Sequence, residues 1–281
     1  MKKKLVFILS SNYSGSHFLS LLLGSHSKAV HLGETKNLIK DHVNCYACGA
    51  LNDCILFKDI NQLTTDALYP ELFNRAGEQI NLLIDTSKKI KWMSQFIHNQ
   101  TDYEIKVIHL MRDPRALLRR WKNKYASITS RLNQRRKTLK AFPKKIFSLL
   151  FSSQDTIYLY KWLKQNQEIA NFINQHKLNT KITTYHDLTL DPNKSLSALM
   201  EWLGESYETS QLKYWEFDHH GTQKSEYEWV KKQPTTTHVD LRWQKELTEK
   251  QSLTVLKNPD FNGYIKGQNL LQLENGLTSP N

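Results

Sequence analysis

The chain has 281 residues, of which 39% are hydrophobic and 23% are charged. This length and composition are ordinary for one water-soluble α/β domain and make a division into two domains the less favoured alternative. No apolar run is long enough to cross a membrane, and the first one, Leu5–Leu9, is too short for a secretion signal although basic residues precede it. We therefore expect a cytoplasmic protein.

The basic residues are concentrated in one part of the chain. The formal net charge is +12, from 39 Lys and Arg and 27 Asp and Glu, and residues 114–154 contain twelve Lys or Arg and no acidic residue. The remainder of the chain is therefore close to neutral. Such a segment attracts anions, which include a charged cofactor, an acidic acceptor, a membrane surface or a nucleic acid. A solvated helix face that only increases solubility is the alternative.

The first predicted element is the strand at residues 5–9, which is followed by small polar residues and then by an apolar helical pattern over residues 16–24. The backbone amides at the start of a helix have no partner within the helix and bind anions. The turn at Ser14, Gly15 and Ser16 is therefore a candidate site for phosphate or sulfate. It lacks the Lys that a nucleotide triphosphatase loop requires. An ordinary turn with a serine helix cap is the alternative.

Three cysteines follow this helix, at Cys45, Cys48 and Cys54. Their odd number argues against a framework of disulfides. A zinc site needs four ligands, so that His31 or His42 would have to supply the fourth. Because the sequence has no second pair of cysteines with this spacing, three reduced thiols in a loop is the favoured interpretation and a zinc site is the alternative.

The rest of the chain alternates strands with helices. Strands are predicted at residues 81–85, 103–111 and 181–185, and helices at 89–99, 115–124, 156–176 and 193–203. This alternation predicts a single α/β domain with a central, mainly parallel sheet flanked by helices. Ligands of such sheets bind beyond the carboxyl ends of the strands, where Ser14, Lys88 and Arg112 follow three predicted strands. We expect residues 1–265 to form the domain and residues 266–281 to form a flexible tail.

Several segments resemble, in the same order, motifs of sulfotransferases that use 3′-phosphoadenosine 5′-phosphosulfate (PAPS). The strand that ends in Arg112-Asp113-Pro114-Arg115-Ala116 resembles the second signature of that family, and the turn at residues 13–16 resembles the first. Further similar segments are Leu32–Thr35, Ile84–Lys88, Tyr185–Pro192 and the cysteine cluster. The match covers about residues 1–250, and the order of the segments is more specific than any one of them.

The resemblance implies a P-loop-like strand–turn–helix that holds PAPS. It also implies transfer of a sulfuryl group to a hydroxyl or amine acceptor by in-line displacement, without a metal, with adenosine 3′,5′-bisphosphate (PAP) as the product. Ser14, Gly15 and Ser16, with the neighbouring His17, would hold the 5′-phosphosulfate. Arg112 would bind the 3′-phosphate, because its planar guanidinium suits phosphate oxygens.

Two positions depart from the family pattern. Arg120 stands where the family has a serine that contacts the 3′-phosphate, so Arg120 either reaches that phosphate or faces solvent. Tyr13 stands where many members have a cation near the sulfuryl group. Lys88, with His17 as the other candidate, is expected to supply that charge at the leaving oxygen, and an ordinary exposed lysine is the alternative.

The resemblance also suggests a catalytic base. Glu34 resembles the glutamate that accepts the proton of the acceptor in protein-tyrosine and some carbohydrate sulfotransferases, and a surface or helix-capping glutamate is the alternative. Lys224 and His220 lie in a segment that resembles a loop that closes over the cofactor. His109 lies inside a predicted strand and is expected to pack in the core.

Two other functions remain possible from the sequence. A P-loop kinase or nucleotide hydrolase is disfavoured by the missing Lys and by the lack of a clear magnesium ligand. A non-catalytic protein that binds anions or nucleic acid through residues 114–154 is disfavoured because few aromatic residues stand among the cations. We expect a small-molecule, carbohydrate, lipid or peptide acceptor, with an acidic one favoured, no nucleic-acid partner, and possible peripheral membrane contact through the basic segment.

Overall fold

A five-stranded parallel sheet forms the centre of the structure, a computed structural model that describes residues 2–38, 44–45, 47–50, 53–98, 102–221, 240–268 and 270. The strands are β1 Lys3–Ser10, β2 Ala29–Gly33, β3 Asn44–Cys45, β4 Gly49–Ala50, β5 Leu82–Asp85, β6 Tyr103–Met111 and β7 Asn179–Thr184. The central sheet has the order β2-β5-β1-β6-β7, and β3 and β4 form a separate antiparallel pair. The predicted α/β fold with a parallel sheet is therefore confirmed.

Helices cover both faces of the sheet. They are α1 Ser16–Gly24, α2 Thr65–Ala76, α3 Ile90–Met93, α4 Pro114–Lys124, α5 Ile128–Ala141, α6 Ile146–Leu150, α7 Gln154–Gln175, α8 Tyr185–Leu190, α9 Pro192–Leu203, α10 Arg242–Glu246, α11 Glu249–Leu256 and α12 Pro259–Gly267. None of the described helices combines the length and the apolar composition that a membrane crossing requires. The predicted tail begins inside α12, and residues 269 and 271–281 lie outside the described residues.

The central strand β1 is buried on both faces, which explains why its sequence is apolar without alternation. Phe7 packs in the cluster that contains the buried side chains of α2 and the second half of α7. Val6 and Ile8 point to the opposite face and pack with α1 and α9. Because successive side chains of a strand point to opposite faces, β1 joins both halves of the core.

The connection between β6 and α4 is short, because residues directly after β6 favour the start of a helix. The Asp113 carboxylate accepts a 2.8 Å hydrogen bond from the amide of Arg115, and Pro114 occupies the first helical position of α4. A capping aspartate and a proline at this position both favour the start of a helix. Arg112 is thereby left in the short connection between strand and helix, at the carboxyl edge of the sheet.

One predicted helix is much shorter than expected. The prediction covered residues 89–99, whereas α3 ends at Met93 and is followed by turns through residue 98. The hydroxyl of Ser94 donates to the carbonyl of Lys91 at 3.0 Å, and the side-chain amide of Gln95 donates to the same carbonyl at 3.3 Å. Such side-chain bonds compete with the backbone bonds that would continue a helix.

Among the elements that the sequence analysis does not predict, three show why their signals are weak. The strand β2 has only five residues, with His31 in its middle. The helix α2 contains Pro70, which is unusual inside a helix. The helix α5 is polar on nearly all sides, and Thr138 is its buried residue, so its apolar pattern is too weak to mark a helix.

Candidate functional site

The segments that follow β5, β1 and β6 meet because these three strands are neighbours in the sheet. Arg112 Nη1 donates a 3.0 Å hydrogen bond to the carbonyl oxygen of Tyr13. On the other side, Lys88 Nζ lies 2.8 Å from Nε2 of His17 in α1. The structure therefore brings together the three strand ends that carry the predicted site residues.

The loop after β1 is held by its own backbone and hydroxyl groups. The amide of Ser14 donates to the carbonyl of Ser11 at 3.3 Å, and the two hydroxyl oxygens are 2.7 Å apart. Tyr13 and Gly15 have positive φ angles of 72° and 92°. The loop leads directly into α1 at Ser16, and the first turn of a helix carries amides without intrahelical acceptors and a partial positive charge. These are the properties that the sequence predicted for an anion-binding turn.

Gly15 is required by its conformation and by a close neighbour. Its φ of 92° is unfavourable for any residue with a Cβ, and a Cβ there would lie 2.4 Å from Cδ2 of Tyr185. Tyr185 begins α8, and the Arg112 guanidinium stacks on its ring at 4.1 Å from the ring centroid. Burial raises the pKa of Tyr185, so its hydroxyl is neutral at pH 7. The loop, Arg112 and α8 thus pack as one unit.

Asp240 is a partner of Arg112 that sequence reasoning missed. Its Oδ2 accepts a 2.9 Å hydrogen bond from Arg112 Nη2, and its Oδ1 accepts one of 2.7 Å from Arg242 Nε. The hydrogen bond from Arg242 and the positive charge of Arg112 hold the pKa of Asp240 well below its usual range. An ionised carboxylate therefore occupies one arm of the guanidinium that the sequence assigned to a phosphate.

Glu34 lies at the centre of a cluster of charged side chains. Lys88 Nζ donates a 3.0 Å hydrogen bond to Glu34 Oε1, and His17 Nε2 is 3.5 Å from the same oxygen. The other carboxylate oxygen accepts hydrogen bonds from Lys36 and, at 3.2 Å, from Asn37. The side chains of Lys88 and Glu34 are only 9% and 13% exposed, so their interaction is weakly screened by water.

Burial and pairing act in opposite directions on the acidity of this cluster. Burial alone would raise the pKa of Glu34, but the hydrogen bond with His17, the charge of Lys88 and the hydrogen bond from Lys36 hold it well below its usual range. Burial lowers the pKa of Lys88, and the charge of Glu34 opposes that shift. Burial also lowers the pKa of His17. At neutral pH the cluster therefore contains an ionised carboxylate beside a poorly hydrated lysine.

Asp85, the last residue of β5, holds the chain segments that carry Glu34 and Lys88. Its buried carboxylate accepts hydrogen bonds from the hydroxyl of Thr35 and, at 2.5 Å, from the amide of Ser87. Thr35 follows Glu34 and Ser87 precedes Lys88 in the chain, so one carboxylate ties both catalytic candidates to the same strand end. Burial raises the pKa of Asp85, and these hydrogen bonds oppose the shift.

Comparisons with known proteins identify the fold. No protein-family model matches the sequence, and no curated protein matches it. The sulfotransferase domain of the Synechococcus PCC 7002 olefin synthase superposes with a TM-score of 0.52 at 18% identity, over 87% of this chain and 94% of that domain. Mouse sulfotransferase SULT7A1, solved in complex with PAP, superposes with a TM-score of 0.51 at 13% identity, over 99% of this chain and 90% of that one. The chain has the sulfotransferase fold.

Other predicted residues occupy different places in this sulfotransferase fold. Arg120 is exposed on α4, where its charge acts on Tyr185 at the margin of the site. Lys224 lies outside the described residues. His109 is buried in β6 and hydrogen-bonds Asn166 at 3.1 Å, and burial lowers its pKa to about 4. The expectation that His109 is a core residue is therefore confirmed.

His220 does not lie with the strand-end residues of the sulfotransferase fold. Its Nδ1 is 3.3 to 3.8 Å from the sulfur atoms of the three cysteines. The expectation that His31 could join those cysteines is wrong, because His31 on β2 points to α1, where its Nδ1 is 2.5 Å from Ser20 Oγ. The other candidate, His42, lies outside the described residues.

Proposed function

We propose that the protein is a sulfotransferase that moves the sulfuryl group of PAPS to a hydroxyl or amine acceptor. The observation that carries this proposal is the convergence of three features at one edge of a sulfotransferase fold. They are the anion-binding start of α1, the guanidinium of Arg112, and the buried pair of Glu34 and Lys88. The presence of PAP in the structure of mouse SULT7A1 supports the choice of donor.

The residues present fit such a donor. The loop at Ser14 and the start of α1 offer amides and hydroxyls to a phosphosulfate, and Arg112 offers a planar fork to a phosphate. The hydroxyls of Ser10 and Thr86, at the ends of β1 and β5, are buried and have no hydrogen-bond partner among the described residues. Buried hydroxyls are normally hydrogen-bonded, so a polar ligand at this edge would satisfy groups that the fold leaves unpaired.

The charged cluster can perform the proton transfer that the reaction needs. The donor supplies the sulfuryl group and a phosphate leaving group. Glu34 would take the proton that a hydroxyl acceptor loses as its oxygen bonds to sulfur and the bond from sulfur to the leaving phosphate oxygen breaks. The ammonium of Lys88 stabilises the charge that develops on the bridging oxygen. A bound donor that drew Lys88 away from Glu34 would remove one cause of the low pKa of Glu34, so that the carboxylate would become a stronger base.

The test is an acceptor screen with radiolabelled PAPS. Small alcohols, carbohydrates, tyrosine peptides and lipids are incubated with the protein, and the labelled products are separated by chromatography. We expect label in at least one acceptor class. Label transfer from γ-labelled ATP, or thermal stabilisation by ATP and not by PAP, would instead support a kinase or nucleotide hydrolase. No transfer and no stabilisation by either nucleotide would support a non-catalytic anion binder.

A separate observation favours contact of the basic segment with an anionic membrane surface. Several cations of this segment are paired within the fold, as Lys122 is with Asp155. Others are exposed, namely Arg136, Lys137, Lys140 and Lys144. Beside them Phe147 and Phe151 are 85% and 86% exposed. Exposed aromatic side chains among cations are suited to the interface of an anionic bilayer.

Sedimentation with lipid vesicles tests this contact. We expect binding to vesicles that contain phosphatidylserine and weaker binding to neutral ones. The double variant Phe147→Ser and Phe151→Ser should lose most of the binding. The matched control is Ile55→Ser, because Ile55 is 71% exposed outside the segment. Equal binding by the double variant and the control would contradict the proposed contact.

A further inference from the structure

The three cysteines and His220 bring four ligand atoms to one point. The three sulfur atoms and Nδ1 of His220 all lie within 4.8 Å of one another. Nδ1 is 3.3 Å from the sulfur atoms of Cys48 and Cys54 and 3.8 Å from that of Cys45. With Zn–S bonds of about 2.3 Å and Zn–N bonds of about 2.0 Å, sulfur and nitrogen are about 3.5 Å apart in a tetrahedral zinc site. The four atoms thus have the spacing of ligands around one ion.

We propose that these four residues bind one zinc ion in a closed structural site. All three cysteines are free, and a disulfide could use only two of them. Cys45 and Cys54 are completely buried. Three thiolates and one imidazole are a ligand set that zinc favours. Because four protein ligands fill a tetrahedron, no position is left for water or substrate, and the ion has no part in the transfer chemistry.

Neighbouring groups orient the ligands. The chain after Cys54 forms a turn, in which the amides of Phe57 and Lys58 donate to the carbonyl of Cys54 at 3.2 and 2.9 Å. The ring of His220 packs edge-on against Phe57, with centroids 6.3 Å apart. Hydrogen bonds and packing of this kind fix the geometry of metal ligands in proteins.

The ion would stabilise the chain segments around the cysteines, which have little secondary structure of their own. The strands β3 and β4 have two residues each, and a hairpin of this size is not stable by itself. Gly49, with a φ of 91°, follows Cys48 and allows the tight turn. The fourth ligand comes from a segment that is 172 residues further along the chain. The ion would therefore join the cysteine loop to residues 219–221, where His219 hydrogen-bonds the carbonyl of Tyr214 at 2.8 Å.

Metal analysis of the purified chain is the direct test. We expect one zinc per chain by mass spectrometry, released in proportion to mercurial titration of the thiols. Replacement by Co²⁺ should give a thiolate charge-transfer band and the intense visible bands of a tetrahedral ion. Zinc-exposed protein that holds no metal, with three freely titrating thiols, would overturn the proposal. Iron in place of zinc would overturn the choice of metal.

Substitutions of His220 and of its neighbour His219 distinguish a zinc ligand from a histidine that only supports the local fold. His220→Ala should weaken zinc binding by more than about 100-fold, because loss of a ligand costs more than loss of an outer hydrogen bond. His219→Ala, the matched control, should keep one zinc per chain. His220→Cys should restore binding with a four-thiolate cobalt spectrum. Unchanged zinc affinity in His220→Ala would remove His220 from the site, and each result is independent of PAP binding.

Discussion

The strand-end site consists of Ser14, Glu34, Lys88 and Arg112 with their neighbours, and the cysteine–histidine site consists of Cys45, Cys48, Cys54 and His220. Both sites bring together polar side chains that water would otherwise solvate, but the partners of these side chains differ. In the first site Glu34, Lys88 and His17 pair with one another, and each pair is a contact that a charged substrate can replace. In the second site three thiol sulfurs and one imidazole nitrogen lie within 4.8 Å of one another. The first arrangement is suited to a reaction and the second to a resident ion.

The comparison predicts that the two sites can be disturbed separately. A change among the strand-end charges should alter nucleotide binding or turnover and leave the metal content unchanged. Removal of the metal should weaken the fold, since binding energy of a structural ion is folding energy. Loss of both properties after one conservative change would show that the sites are coupled.

We expect the largest change, a loss of turnover, from Glu34→Gln. This change keeps the shape of the side chain and removes the base, so turnover should fall by about 10²- to 10⁴-fold while PAP still stabilises the protein. Initial rates and PAP-dependent thermal shifts measure the two properties. Glu208→Gln is the matched control, because Glu208 pairs with Ser27 outside the site. Full turnover in Glu34→Gln would exclude Glu34 as the base.

Arg112→Ala should abolish the stabilisation by PAP. A ligand at 100 times its dissociation constant stabilises a protein by about 2.7 kcal/mol, and the variant should lose this increment because a phosphate then lacks its guanidinium. Arg136→Ala removes an exposed arginine of α5 and serves as the control. Zinc content should be the same in both. A full thermal shift with PAP in Arg112→Ala would place the 3′-phosphate elsewhere.

The charged cluster should also make stability depend on pH. The pKa of Glu34 in the folded protein lies well below its usual value of 4.5, so its stabilising contribution is present above pH 4.5 and is lost as the pH falls towards the folded value. Denaturant unfolding of the wild type and of Glu34→Gln at several pH values between 6 and 3 measures this contribution. The free-energy difference between them should shrink as the pH falls. A difference that is constant with pH would show that Glu34 is not held ionised by its partners.

The strand-end site could be predicted because its parts are local in the sequence. Ser14, Lys88 and Arg112 each follow a strand within a few residues, and parallel strands bring such positions to one edge. The apolar runs of β1 and β6 and the pattern of α1 were equally clear. Elements with mixed patterns were missed, since a helix such as α5 depends on contacts that its sequence alone does not reveal.

The partners across the chain could not be predicted in this way. His220 meets the cysteines, and Asp240 meets Arg112, over sequence separations of 166 to 175 and 128 residues. No periodicity links residues so far apart. The sequence suggested His31 as a ligand because it is close to the cysteines along the chain, but β2 directs this side chain to Ser20 instead. Closeness in the sequence therefore helps to predict which residues follow strand ends, but it does not predict the fourth ligand of the cysteine–histidine site.

The smallest expected effect comes from Asp240→Asn. Its carboxylate now holds one arm of Arg112, and an incoming phosphate must replace that contact. Without the negative charge, PAP should bind a few-fold more tightly at low salt, which corresponds to about 1 kcal/mol. Calorimetric titration measures the change, and Asp102→Asn, at an exposed position before β6, controls for net charge. Weaker PAP binding in Asp240→Asn would mean that Asp240 holds the guanidinium in position for the phosphate and does not compete with it.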